Sequence, residues 1–209
     1  MIVFDFDGVV ADSLVICRLA CIYAARRQGA SLRLPDNPFS VLDPLTFSAF
    51  ANLHEFEPTR FTADVGNAIA LHSVAPVFAG MTDTWQALAR HHEIVVLSAS
   101  AERVIRRFLE SHGLSELVAK VIGGDAGGTK TAWLTHLSKA QAVGTVVMVG
   151  DAASDFDAAR LAGLPFVGVG WGWQSAARLR ARGASLVAMA PSELPELIAQ
   201  AQRVFGNIR

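Results

Sequence analysis

The chain is poor in the features that would staple it together or carry it into a bilayer. Only two of its 209 residues are cysteine, which excludes a disulfide framework. Cys17 and Cys21 stand four residues apart in a helical pattern, so they share a face and are expected to pack as small hydrophobes. No window approaches an apolar run of about 20 residues. The stretch 65–82 is broken by Asn67, His72, Ser73 and Pro76, and the stretch 161–177 by several glycines, Pro165 and Gln174. An excess of one charge is also missing: 18 Lys and Arg face 19 Asp and Glu, for a net charge of -1. That balance excludes a broad basic face for nucleic acid or anionic lipid. It leaves a small molecule as the expected partner, with a monomer or homodimer as the expected assembly. The opening MIVFDFDG carries acids at positions 5 and 7, where a secretory leader has basic residues and then an apolar stretch. A cytoplasmic setting is therefore expected.

What is plentiful is small and apolar. Hydrophobic residues make up 52% of the chain and charged residues 18%, against a usual charged share of about 25%, so disorder is excluded. Apolar runs without alternation occupy 2–6, 94–97, 146–149 and 166–169. Short Val/Ile-rich runs of that kind, bounded by Gly, Asp or Ser, read as strands buried on both faces. A weaker run at 185–188 reads as an edge strand. Helical patterns fill the spaces at 83–90, 101–111, 131–140 and 152–161, with a closing helix at 192–204. This alternation predicts an α/β, three-layer parallel-sheet core of Rossmann-like type. Residues 14–78 depart from it, with helical patterns at 14–27, 44–53 and 59–71 around a Pro- and Asn-bearing connection. The expected division is a catalytic core of residues 1–13 and 79–209 carrying a small inserted α-helical cap, residues 14–78.

Ligands bind a parallel sheet at the carboxyl ends of its strands. The polar residues at those ends are Asp5, Asp7, Gly8, Asp12 and Ser13 after the first strand, Ser98 and Ser100 after the second, and Asp151, Ser154, Asp155 and Asp157 after the third. Two carboxylates about 4 Å apart repel by about 4 kcal/mol at an effective dielectric of 20. Converging acids therefore call for a hard divalent cation, and Mg²⁺ suits carboxylate, carbonyl and water ligands. No His/Cys cluster favours Zn²⁺.

The segments FDFDGVVADS at 4–13, LSAS at 97–100, Lys130 and VGDAASD at 149–155 follow one another in the order and approximate spacing of four motifs. In this the chain resembles the haloacid dehalogenase superfamily, in particular its phosphoglycolate-phosphatase and β-phosphoglucomutase-like members with a helical cap. The resemblance implies an Mg²⁺-dependent phosphatase acting on a small phosphorylated metabolite. Asp5 would be the nucleophile and Asp7 the general acid and base. Asp5, the Asp7 carbonyl, Asp151 and Asp155 would hold the metal. Ser98, Ala99, Gly8 and Lys130 would bind the phosphoryl group. In many relatives a proline follows the motif lysine, whereas here Thr131 does. A halide-displacing dehalogenase would lack the second carboxylate, Asp7. A phosphosugar mutase keeps all four motifs, and a non-catalytic phosphate-binding protein could share the scaffold.

Other residues carry plainer expectations. Asp12 and Ser13 are expected to cap the first insert helix, and Ser100 to cap the helix at 101–111. Asp157 is expected to be a solvated helix residue, and His91 and His92 to close a helix. Lys120 is a weaker candidate than Lys130 for phosphate. Trp171 and Trp173, in the run GVGWGWQS, are expected to shape the site mouth. Arg60, after the Pro58-Thr59 turn, is the candidate insert residue for a substrate anion.

Overall fold

The computed structural model describes residues 1–71, 74–139, 141 and 145–206. Six strands, β1 (Ile2–Phe4), β2 (Ile94–Leu97), β3 (Val118–Ile122), β4 (Val147–Gly150), β5 (Phe166–Val169) and β6 (Val187–Ala188), form one sheet in the order β3-β2-β1-β4-β5-β6. Every adjacent pair is parallel. The chain winds outward from β1 to β3, then returns to the far side of β1 as β4 and winds outward again. The switch in winding direction falls between β1 and β4, where a parallel sheet opens a crevice at its strand ends.

The four apolar runs lack alternation because both sheet faces are covered. Ile2, Phe4, Ile94, Val96, Val147 and Val149 point into one core layer. Val3, Val95, Leu97 and Met148, their immediate neighbours, point into the other. The first layer packs under α4 (Met81–Ala89), α5 (Glu102–Ser111) and the closing helix α9 (Leu194–Gly206), with Phe4 and Trp85 5.3 Å apart and Phe6 edge-on to Phe108 at 4.9 Å. The second packs under α6 (Lys130–Lys139), α7 (Ala153–Leu161) and α8 (Ala176–Arg182). Ala140, the expected end of α6, lies outside the described residues.

Two elements were not legible in the sequence. Strand β3 is half exposed, with Ala119 and Lys120 facing solvent ahead of buried Val121 and Ile122. It sits at a sheet edge and so lacks the continuous apolar signature. Helix α8 carries three arginines in seven residues, and its start is fixed by the Ser175 hydroxyl accepting from the Arg178 N–H at 3.2 Å.

Residues 14–71 form α1 (Leu14–Arg27), α2 (Phe47–Leu53) and α3 (Pro58–Leu71), which bury a third cluster around Phe39, Phe50, Phe61 and the two free cysteines. Thr46 Oγ1 accepts from the Ala49 N–H at 3.0 Å and so starts α2 three residues later than the sequence pattern suggests. Glu57 starts α3 in the same way, accepting from the N–H groups of Thr59 and Arg60. Where the chain enters and leaves this helical unit its two segments pair, Asp12 N–H to Pro76 O at 2.9 Å and Phe78 N–H to Val10 O at 3.1 Å. On the opposite side the loop after β5 is fastened to it. Trp173 stacks on Phe39 at 4.6 Å, and Gln174 donates to Leu42 O at 2.7 Å.

Candidate active site

Asp5 follows β1 directly, and its N–H still bonds Val149 O at 2.9 Å, so the strand pairing fixes its position. Asp151 follows β4 in the same way, and Asp155 lies in the first turn of α7. One oxygen from each of Asp5, Asp151 and Asp155 falls within 4.8 Å of the others, and all three residues are buried. The cluster is not neutralised. Lys130, the first residue of α6, places Nζ 3.2 Å from Asp5 Oδ1 and 2.5 Å from Asp155 Oδ1. The second Asp155 oxygen accepts from the Ala152 N–H at 3.1 Å. Asp151 Oδ2 accepts from the Trp173 N–H at 2.5 Å, but Asp151 Oδ1 is buried with no partner.

An orphaned carboxylate oxygen beside two further buried acids is unfavourable for protein alone and suited to a cation. Burial, with Asp155 and Asp5 adding to it, holds the Asp151 carboxyl well above the usual carboxylate range. Burial pushes Asp5 up to about 7, while the Lys130 ammonium pulls the other way. Burial also works against the charge on Lys130, yet Asp155 and Asp5 outweigh it and raise the lysine above its ordinary value. The donor set is all oxygen, so the residues present fit a hard divalent ion.

Asp7 is held apart from that cluster. Ser13 Oγ donates to its Oδ1 at 2.7 Å and Ser100 Oγ to its Oδ2 at 2.6 Å. Burial raises its pKa in spite of both hydroxyls, which favours a carboxyl able to carry a proton. Both serines thereby depart from the capping roles their positions suggest. Ser13 stands at the N-cap of α1 without a side-chain cap bond, and α5 begins after Ala101. Each hydroxyl is drawn instead to a half-buried carboxyl, where a hydrogen bond is worth more than at an exposed helix end. Asp12 is exposed and caps nothing.

Gly8 does not line the cavity, and its N–H bonds Ala11 O at 3.0 Å. What requires glycine there is a φ of +76° and the close approach of Asp151 and of Trp173 Cδ1, 2.9 Å from where a Cβ would lie. Gly172 faces Asp151 from the other side, where a Cβ would fall 2.5 Å from Oδ2. Two glycines thus let the backbone close around one buried acid.

Ser98 is buried at the end of β2, and its Oγ accepts from the Ser100 N–H at 3.1 Å, leaving its proton to donate. Ser98, Ala99, Ser100, Lys130, Asp5, Asp7 and Asp155 share one cavity of about 350 Å³. Its far wall comes from the helical insert, through Phe39, Pro44 to Ser48, and Thr62, together with Trp173. Nothing in the sequence pattern marked that wall, apart from the expectation that Trp173 shapes the mouth. Trp171 instead ties down the first loop, its indole donating to Val9 O at 3.1 Å. Lys120 sits over the Trp133 ring at 5.7 Å, away from the acids. With Thr131 in place of the proline, the helix is started by Thr129, its hydroxyl accepting from the Ala132 N–H at 3.1 Å.

One candidate does not join the site. Arg60 donates to Arg27 O at 3.0 Å, lies 3.9 Å from Asp64, and does not line the cavity. The α3 start at Pro58 places it in the first turn, on the outer face of the insert. Asp157 is not free in solvent but pairs with Arg182.

A doubly wound parallel α/β protein with a lysine-bridged acidic cluster at its switch point, and a cavity walled on one side by a helical insert, has the layout of a hydrolase whose acids are compatible with a bound cation. The chain belongs to the haloacid dehalogenase-like hydrolase family, whose model matches residues 2–169. It is similar to the phosphoglycolate phosphatase of Synechococcus elongatus, 27% identical over 97% of this chain and 98% of that protein. It is also similar to the phosphoglycolate phosphatase of Vibrio parahaemolyticus, 26% identical over 95% of this chain and 96% of that one. Among solved structures, a predicted phosphatase from Clostridium acetobutylicum matches with a TM-score of 0.81 at 18% identity, over 95% of this chain and 97% of that one.

Proposed function

We propose that this chain is a phosphatase that releases inorganic phosphate from a small phosphorylated metabolite with the help of Mg²⁺, its helical insert of residues 14–78 serving as a cap over the core of residues 1–13 and 79–209. Similarity to phosphoglycolate phosphatases along nearly the whole chain supports the reaction class. The observation that carries the reading is the separation of two acids. Asp5 lies in the charged cluster against Lys130, while Asp7, two residues on, is set aside between two serine hydroxyls.

In this reading Asp5 attacks phosphorus, the bond to the substrate oxygen breaks, and Asp7 delivers its proton to that oxygen. Asp7 then takes a proton from water as the water oxygen attacks the aspartyl-phosphate, and Asp5 departs as the free carboxylate. Ser98 donates to a phosphoryl oxygen, beside the exposed backbone of Ala99, and Lys130 offsets charge on Asp5 and on the phosphoryl group. Mg²⁺ held by Asp5, Asp151, Asp155 and the Asp7 carbonyl would neutralise the acids and draw charge from the phosphoryl oxygens. The test is phosphate release by the full chain across a panel of phosphorylated metabolites, with Mg²⁺ or with chelator. Release that needs the metal, and that falls by about 10⁴-fold in a folded Asp5→Asn variant, is the expected result. Undiminished release by that variant, or silence across the panel, overturns the reading.

A further inference from the structure

We propose that the organic part of the substrate is an uncharged alcohol with a flat apolar face, and that the site selects against a second anionic group such as the carboxylate of phosphoglycolate. The inference rests on the phosphatase reading of the same cavity. With the phosphoryl group near Asp5, Ser98 and Lys130, the cavity that holds those residues leads the remainder of the substrate toward the insert wall. That wall is aromatic, with Phe39, Phe47 and Trp173, and its polar side chains are the hydroxyls of Thr46, Ser48 and Thr62. Among the described residues lining the cavity, Lys130 is the one cation, and it is already shared between Asp5 and Asp155.

Of the five arginines of the insert, none lines the cavity, and three are committed elsewhere. Arg18 donates to Pro35 O at 2.9 Å and Leu34 O at 3.1 Å, and Arg27 and Arg60 both face Asp64. Arg178 and Arg182, which reach the insert from α8, lie 3.9 and 3.7 Å from Asp43. A carboxylate placed against this wall would lose water without gaining a counter-charge. A neutral ring would instead bury apolar area on the aromatics. The cavity volume of about 350 Å³ also leaves room for a group larger than glycolate.

A second cavity of about 270 Å³ meets the site at Asp7 and carries Arg103 and Arg107. Its lining includes none of Asp5, Ser98 and Lys130, and Arg107 already donates to Ala70 O at 3.0 Å.

Two substrate pairs test the proposal on the full chain with Mg²⁺: 2-hydroxyethyl phosphate against 2-phosphoglycolate, and benzyl phosphate against 4-carboxybenzyl phosphate. Within each pair the leaving oxygen is alike and only the carboxylate differs. The expected result is a kcat/KM about tenfold or more higher for the neutral member of each pair. Thr62→Arg, at an exposed position of α3, is expected to narrow or invert the first pair through KM. Equal or faster release from the charged members overturns the inference while leaving the phosphatase reading intact. A preference for phosphoglycolate that Arg107→Gln removes would also overturn it, by placing the organic group in the second cavity. Silence on all four compounds, with phosphate released from the metabolite panel, overturns the inference alone. Silence on both sets removes the phosphatase reading as well.

Discussion

The floor and the wall of one cavity are built by opposite means. The floor is charged, and its acids sit where strands end or a helix begins, on backbone that sheet pairing holds in place. The wall is neutral, and it comes from the loop ahead of α2 and the first turn of that helix, Thr62 of α3 and a tryptophan from the loop after β5. Reaction chemistry needs a few groups at fixed separations, which strand ends supply. Selection among substrates needs a shaped surface, which loops and helix faces supply and can vary without disturbing the acids.

Asp7→Asn gives the sharpest contrast between floor and wall. Release from alkyl phosphates is expected to fall by about 10²- to 10⁴-fold, with much smaller loss for an aryl phosphate whose leaving group needs no proton. Steady-state rates on the two substrate kinds check this, and equal losses on both would place Asp7 with the wall as a binding residue. The cation comes next. Saturation at about a hundred times its Kd is worth about 2.7 kcal/mol, or roughly 5–10 °C in Tm for a chain of this size. The sign with pH follows from the raised carboxyls. Asp5, at about 7 in the fold, keeps a proton that the unfolded chain has lost. Without a cation, stability therefore falls as pH rises from the ordinary carboxylate range toward about 7, and Mg²⁺ should flatten that slope in thermal melts.

A smaller effect is expected from Ser100→Ala, which removes one of the two hydroxyls on Asp7. A loss of about tenfold in kcat with little change in KM would mark Ser100 as a positioning residue, whereas a pure KM effect would assign it to substrate binding. The smallest belongs to Arg60→Ala. Its guanidinium serves Arg27 O and Asp64 on an exposed surface, so kcat/KM should be unchanged and Tm should move by no more than about 2 °C.

Asp5, Ser98, Lys130, Asp151 and Asp155 were legible in the sequence because each stands at a strand end or helix start that local pattern locates. Ser13 and Ser100 were legible as polar residues but not in their roles. A serine beside a helix start looks like a cap until a half-buried carboxyl, six positions away for Ser13 and 93 for Ser100, competes for its hydroxyl. The close approach of Gly8 to Asp151 was not legible, since the two are 143 positions apart and only folding brings them together. Strand β3 was hidden because an edge strand with Lys120 exposed carries no continuous apolar run. The cavity wall left no periodic trace, because Phe39, Thr46, Phe47, Ser48, Thr62 and Trp173 come from three separate segments.

The sequence by itself determined the two-sided parallel sheet, the helical insert and the gathering of acids at the strand ends. Each follows from periodicity within a few consecutive residues, which local backbone geometry converts directly into structure. The tertiary structure alone decided which hydroxyl serves which carboxylate, which Asp151 oxygen is left without a partner, and that the insert meets the site with aromatic rings in place of arginines. Those outcomes are competitions between groups distant in the chain, settled by burial: a partner near a buried charge outweighs one at the surface, and no local pattern records it.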